Sequence, residues 1–218
     1  MLRAENIVKR YRNLVVLKSI DLTVEQGKIV SIVGASGAGK STLLHILGTL
    51  DQPDQGKVFL DDKELTKLKG AQLAEYRNRH VGFIFQFHNL LPEFTALENA
   101  CIPAYLANHT SDKEIKMRGV ELLERLGLRD RMQHKPSEMS GGEQQRTAVA
   151  RALMNNPSVV FADEPSGNLD SRNAGELHNL FFRLRDELNQ TFVIVTHNEE
   201  LANMADQKLE IRDGMIAV

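Results

Sequence analysis

An α/β fold interrupted by a helical insert follows from three features of the sequence. Short apolar runs of strand length recur as "KIVSIVG", "VGFIFQ", "SVVFADE" and "TFVIVTH", the pattern of strands buried on both faces. A glycine-rich stretch, "GASGAGKST" (34–42), joins the first of these to the helical "STLLHILGTL". Between about residues 87 and 156 the apolar spacing becomes helical. The division predicted is a discontinuous α/β core over 1–86 and 157–218, with a helical subdomain over 87–156.

Taken in order, "VVLKSIDLTVEQGKIVSIVG" alternates and breaks at Gln26-Gly27, giving two strands. "GKVFLDDKEL" (56–65) reads as one further strand, edged by a turn around Pro53 and Gly56, and "VGFIFQ" (81–86) as a strand buried on both sides. Helices are expected over Thr95–Asn108 and Ser111–Leu126. The second opens on Ser111-Asp112-Lys113-Glu114, a capping box, and repeats apolar residues at Ile115, Leu122, Leu123 and Leu126. After a polar loop around Pro136, "SEMSGGEQQR" leads into the helix "QQRTAVARALMNN". A strand at 158–164 precedes an amphipathic helix with Ala174, Leu177, Phe181, Leu184 and Leu188 at three- and four-residue steps. The strand "TFVIVTH" (191–197) and a C-terminal hairpin turning at Asp213-Gly214 complete the chain.

The chemistry concentrates at strand ends. Gly34, Gly39, Lys40 and Ser41 fit G-x-x-x-x-G-K-[ST] in the strand-to-helix context the pattern needs. Glycines let successive N–H groups surround a phosphate, Lys40 reaches its outer oxygens, and the Ser41 hydroxyl suits Mg²⁺. Gly34, Ala35, Ser36, Gly37, Ala38, Gly39, Lys40, Ser41 and Thr42 are therefore nucleotide-contact candidates. "VVFADEP" ends in two acids whose side chains point opposite ways along a strand, so Asp163 is assigned to the metal and Glu164 to the attacking water. Standing alone, such a pair is a solvated turn, and the phosphate loop upstream reverses that reading. His197 and Gln86 end their strands on the same expected edge, His197 near the γ-phosphate and Gln86 near the metal or the water.

Composition bounds the rest. Lys and Arg total 27 against 29 Asp and Glu, so no basic field favours nucleic acid. The single cysteine, Cys101, and the N-terminus without signal character point to a reducing cytoplasm. No apolar run approaches the ~20 residues of a spanning helix, so a membrane role is expected to pass through partners. Phe85, Phe87, Leu90, Leu91, Pro92 and Phe94 crowd the stretch beside Gln86 and fit either core packing or a groove for a partner's helix.

Tyr11, "GASGAGKST", Gln86, "MSGGEQQR", "VVFADEP", "SGNLD" (166–170) and His197, in this order, resemble the ATP-binding cassette ATPases over essentially the whole chain. The resemblance implies a P-loop NTPase fold: a RecA-like mixed sheet, an N-terminal antiparallel β-subdomain and an inserted helical subdomain. It implies ATP hydrolysis with Mg²⁺, two ATP held in a head-to-tail homodimer, and Tyr11 stacked on adenine. Ser140, Gly141, Gly142 and Glu143 would meet the γ-phosphate held by the other subunit, while Asp170 would face that subunit's phosphate loop. Ser140 and Glu143 equally form an ordinary capping box. Departures are Met139, Glu143, Ser166 and Asn198, where leucine, glutamine, threonine and aspartate are more usual. The "QFHNLLPEFTALEN" and "LEIRDG" stretches are similar to the branch of lipoprotein-releasing, macrolide-exporting and cell-division cassettes, and most to the lipoprotein-releasing members. That implies integral membrane permease subunits contacted through Phe87, Leu90, Leu91 and Phe94, and a peripheral place on the cytoplasmic face of the inner membrane.

Overall fold

The computed structural model describes residues 1–217, so the expected core boundary at Val218 lies outside the described residues. Two sheets form it. Strands β1 (Leu2–Tyr11), β2 (Leu14–Val24), β4 (Gln55–Leu60) and β5 (Lys63–Glu64) build an antiparallel sheet in the order β2-β1-β4-β5. The second sheet runs β10-β9-β3-β8-β7-β6, from β3 (Ile29–Val33), β6 (Val81–Phe85), β7 (Val159–Asp163), β8 (Thr191–Val195), β9 (Gln207–Arg212) and β10 (Met215–Ala217). All its pairings are parallel except the hairpin β9-β10.

Side-chain alternation splits the core between the two faces of this sheet. Ile29, Ile84, Val160, Ala162, Phe192 and Ile194 pack against the helical side. Val30, Ile32, Phe161, Val193 and Val195 pack with α1 (Lys40–Leu47) and the antiparallel sheet. The helical side is built from α3 (Ala96–Ala107), α4 (Asp112–Arg125), α5 (Gly141–Leu153) and α6 (Ser171–Leu188). Thr95, Ser111 and Ser140 each close a capping box at a helix start.

Several elements differ from the sequence reading. Strand β1 was not expected, because its alternation breaks: Leu2 and Ala4 are buried, then Ile7, with Asn6 at φ 51 and a register shift between. Residues 56–65 are a hairpin rather than one strand, turning at Asp61 and Asp62, both with positive φ. Strand β6 lies at the sheet edge, with Phe83 and Phe85 only half-buried. Two helices were unforeseen. Helix α2 (Gly70–His80) buries no residue and so shows no apolar stripe; α7 (Glu199–Met204) is too short to show one.

Candidate functional site

The "GASGAGKST" stretch forms a loop between β3 and α1. Gly34 takes φ 145 and lies so close to β9 that an added Cβ would sit 2.2 Å from the Ile211 carbonyl oxygen. Gly39 occupies the N-cap of α1 in the left-handed region, and no side chain caps that helix. The first N–H groups of α1 are thereby left pointing into the loop, the arrangement that binds an anion. Lys40 curls back and donates from Nζ to the carbonyls of Gly34 (2.9 Å) and Ala35 (3.0 Å), leaving a third proton for an anion.

Four expected residues meet beside this loop, at the carboxyl ends of β7 and β8. Ser41 Oγ donates to Asp163 Oδ1 at 3.0 Å. Adjacent corners of an octahedral Mg²⁺ shell, with bonds near 2.1 Å, lie about 3.0 Å apart, so this oxygen pair fits two neighbouring positions. Among the described residues no group of three His, Cys, Asp or Glu that could hold a metal ion exists, so the remaining positions would fall to Gln86, water and phosphate. Glu164 points elsewhere. Its Oε2 accepts from the His197 backbone N–H (3.2 Å) and lies 2.7 Å from His197 Nδ1. The two acids do separate, but strand alternation is not the whole cause: Glu164 turns to φ 46, a left-handed conformation stored at the end of the strand. His45, which the sequence reading passed over, approaches Asp163 Oδ2 at 3.8 Å.

Gln86 leaves β6 half-buried and donates from Nε2 to Asn168 Oδ1 (3.2 Å), while Asn168 Nδ2 donates back to the Gln86 carbonyl (3.1 Å). Its amide therefore rests on the "SGNLD" loop. Asn168 was visible in that motif but had been given no role. Ser166 of the same loop lies 3.0 Å from His178 Nε2 on α6; burial lowers the pKa of that histidine.

Tyr11, at the end of β1, is 48% exposed. Its hydroxyl donates to Asp51 (2.7 Å), which also takes an ion pair from Lys9 (2.7 Å). The Asp51 hydrogen bond, with burial, raises the tyrosine pKa; Lys9 and the neighbouring Thr42 hydroxyl of the phosphate loop oppose it. Burial works against the Asp51 carboxylate, but the bonds from Lys9 and Tyr11 outweigh it and hold the pKa below the usual value.

Ser140, Gly141, Gly142, Glu143 and Asp170 form a second group at the N-termini of α5 and α6. Among the described residues none of them hydrogen-bonds to the phosphate loop of its own chain. The Ser140 N–H donates to Glu143 (2.8 Å), the Glu143 N–H to Ser140 Oγ (3.3 Å), and Arg131 to Glu143 (2.9 Å). Burial opposes the Glu143 charge, yet the Ser140 N–H and Arg131 prevail and lower its pKa. Asp170 caps α6 by accepting from the Asn173 N–H at 2.8 Å.

Beyond Gln86, Phe87 is 74% exposed, and Leu91 and Phe94 are exposed as well, with Leu90 half-buried. Solvent, not core, meets most of this apolar set. Beside it a cavity of about 870 Å³ opens between α2, β6, α3 and α5, lined by Phe83, Phe85, Pro103, Leu106 and Arg79 among others.

Residues 17–167 match the family described as ABC transporter. The lipoprotein-releasing system ATP-binding protein LolD of Cytophaga hutchinsonii is 59% identical over 216 residues, 99% of this chain and 98% of that one. Its namesake in Aquifex aeolicus is 52% identical over 216 residues, covering 99% and 96%. A dimeric ATP-binding cassette solved with ADP and Pi superposes with a TM-score of 0.91 at 37% identity, covering all of this chain and 97% of the other.

Proposed function

The chain belongs to the ABC transporter family, and from that premise we propose that it is the ATP-hydrolysing subunit of a transporter that releases lipoproteins from the inner membrane. One observation carries the enzymatic part: Ser41 with Asp163, and Glu164 with His197, stand at neighbouring strand ends beside the phosphate loop. The loop's N–H groups and Lys40 bind the β- and γ-phosphates, and Tyr11 offers a ring face to the adenine. Mg²⁺, held by Ser41 and Asp163 with Gln86 at its margin, supplies charge neutralisation when bound. Glu164 orients the attacking water and takes its proton, and His197 fixes the carboxylate and reaches the γ-phosphate.

The second site group then finds its use. A helix N-terminus bearing Ser140, Gly141 and Gly142 suits an anion, yet its own phosphate loop does not meet it. In a head-to-tail pair, each copy presents this group to the other's γ-phosphate, and the Asp170 loop faces the other's phosphate loop. The helical subdomain over 87–156 swings with that closure. Glu164→Gln should retain ATP, lose about 10²- to 10⁴-fold in hydrolysis, and accumulate as a dimer on gel filtration with MgATP. A variant that hydrolyses like the parent, or stays monomeric at saturating MgATP, defeats the scheme.

Membrane attachment is assigned to two integral permease subunits, since no helix among the described residues is long and apolar enough to span. Their cytoplasmic helices dock on Phe87, Leu90, Leu91 and Phe94 and in the adjoining cavity, holding the chain peripherally on the cytoplasmic face. The lipoprotein cargo rests on relatives of 52–59% identity that carry that name. Affinity purification from detergent-solubilised membranes should recover the permease pair with bound lipoprotein. Phe87→Asp should abolish that capture while basal hydrolysis stays within about twofold, because an exposed side chain tolerates charge.

A further inference from the structure

The segment after Gln86 takes its shape from side chains that belong to two helices, while its own apolar side chains face outward. His88 and Asn89 both adopt positive φ, 58 and 50, with no glycine to relieve them. Left-handed backbone at two successive non-glycine residues is uncommon, asparagine tolerating it better than histidine, and it persists where the surroundings impose it. Arg151 of α5 supplies part of that constraint, donating from Nη2 to the His88 carbonyl (2.6 Å) and from Nη1 to the Asn89 carbonyl (2.5 Å). Gln145, fully buried on the same helix, meets His88 Nδ1 through Oε1. From α3, the fully buried Asn99 accepts the Leu91 N–H at 2.8 Å. Its amide hydrogens are shared among the carbonyls of Leu91 (3.1 Å), Phe94 (3.0 Å) and Thr95 (3.0 Å). With the backbone held from inside, Phe87 is left 74% exposed.

We propose that Arg151, Gln145 and Asn99 are positioning residues that clamp residues 88–94 in a docking-ready shape, the first two fastening the segment to α5 and the third to α3. The proposal rests on the docking role given above to Phe87 and its neighbours. Its consequence is mechanical. Helix α5 carries Ser140 and Gly141 at its start and Gln145 and Arg151 along its flank, with Asn99 on the α3 packed against it, so one packed unit links the nucleotide-facing loop to the permease-facing segment. Displacement at Ser140 reaches Phe87 without slack, and docking needs little further ordering of the segment.

Arg151→Lys keeps the charge but loses the two-pronged donor set, which a single ammonium does not reproduce. Amide hydrogen exchange on the full chain should then quicken at residues 87–91 by about tenfold or more, with the rest of α5 still protected. Basal ATP hydrolysis should stay within about twofold, while capture of permease subunits from solubilised membranes falls at least about fivefold. Gln145→Met, which removes the His88 contact alone, is measured in parallel and should shift the same amides; should Arg151→Lys fail to fold, this variant decides. Unchanged exchange at 87–91 overturns the clamp, as does faster exchange with parental capture when Phe87→Asp abolishes capture. If Phe87→Asp captures as well as the parent, the docking role fails instead, and exchange alone judges the clamp.

Discussion

A methyl group added at Gly34 meets different neighbours from one added at Gly141. At Gly34 the φ of 145 strains any L side chain, and the Ile211 carbonyl oxygen, 2.2 Å from the added carbon, is backbone that does not yield. At Gly141 the nearest atom beyond its own helix, among the described residues, is Leu169 Cδ2, at an ordinary 3.6 Å, and no positive φ is required. Gly34→Ala should therefore lower the melting temperature and abolish nucleotide binding together. Gly141→Ala should melt at or slightly above the parent, since alanine favours a helix by up to about 1 kcal/mol over glycine. Yet its hydrolysis should fall, because in the proposed pair the methyl group would stand where the other subunit's phosphate approaches. Melting curves and ATPase assays on the same preparations check both. Parental hydrolysis in Gly141→Ala would count against the shared site.

The helix starts allow a matched comparison at the next scale. Ser111 and Ser140 close the same capping box, with Glu114 and Glu143 reaching back to the N-cap N–H. Replacing either serine by alanine should cost about 1 kcal/mol of stability. Only Ser140 has a second expected partner, the other subunit's γ-phosphate. Ser140→Ala should additionally lose about ten- to a hundredfold in hydrolysis, the value of one hydrogen bond to a charged group, while Ser111→Ala keeps its rate. Equal rates in the two variants would leave the "SGGE" start as a cap and nothing more.

For the whole molecule, acid stability should fall in two stages. Burial lowers the pKa of His178, so the folded chain takes up its proton less readily than the unfolded one; stability is full above the unfolded value of about 6.5 and falls as pH drops from there through the lowered folded value. The carboxylates of Asp51, Glu143 and Asp206 are also held low. Burial opposes each charge, and hydrogen bonds from lysine, tyrosine, arginine and backbone N–H groups overcome it. Their contribution is complete above about pH 4.5 and drains below it. Melting temperature against pH should show a shallow decline below about pH 6.5 and a steeper one below about pH 4.5. His178→Gln should flatten the first stage and leave the second. A first stage unchanged in that variant would assign it to other groups.

Local chemistry, sufficient within a dozen residues, is what the sequence alone determined: a phosphate loop between strand and helix, the Ser111 cap, the Asp213-Gly214 turn, and acids ending a buried run. The last residues of strands announce themselves because the proposed chemistry would need them beside a loop already visible in the chain. Strand β1 and helix α2 escaped because a bulge broke the one pattern, and the other, with only Leu73 and Tyr76 as large apolar residues and none fully buried, shows no sustained apolar stripe. Pairings across distance belonged to the tertiary structure alone. Asn168 supports Gln86 from 82 residues away, and Arg151 reaches His88 across 63. Ser166 had drawn notice only as an unusual residue until His178 was found against it. Such contacts leave no periodic trace, since a hydrogen bond between distant side chains depends on where the sheet and helices bring the backbone, not on the residues around either partner.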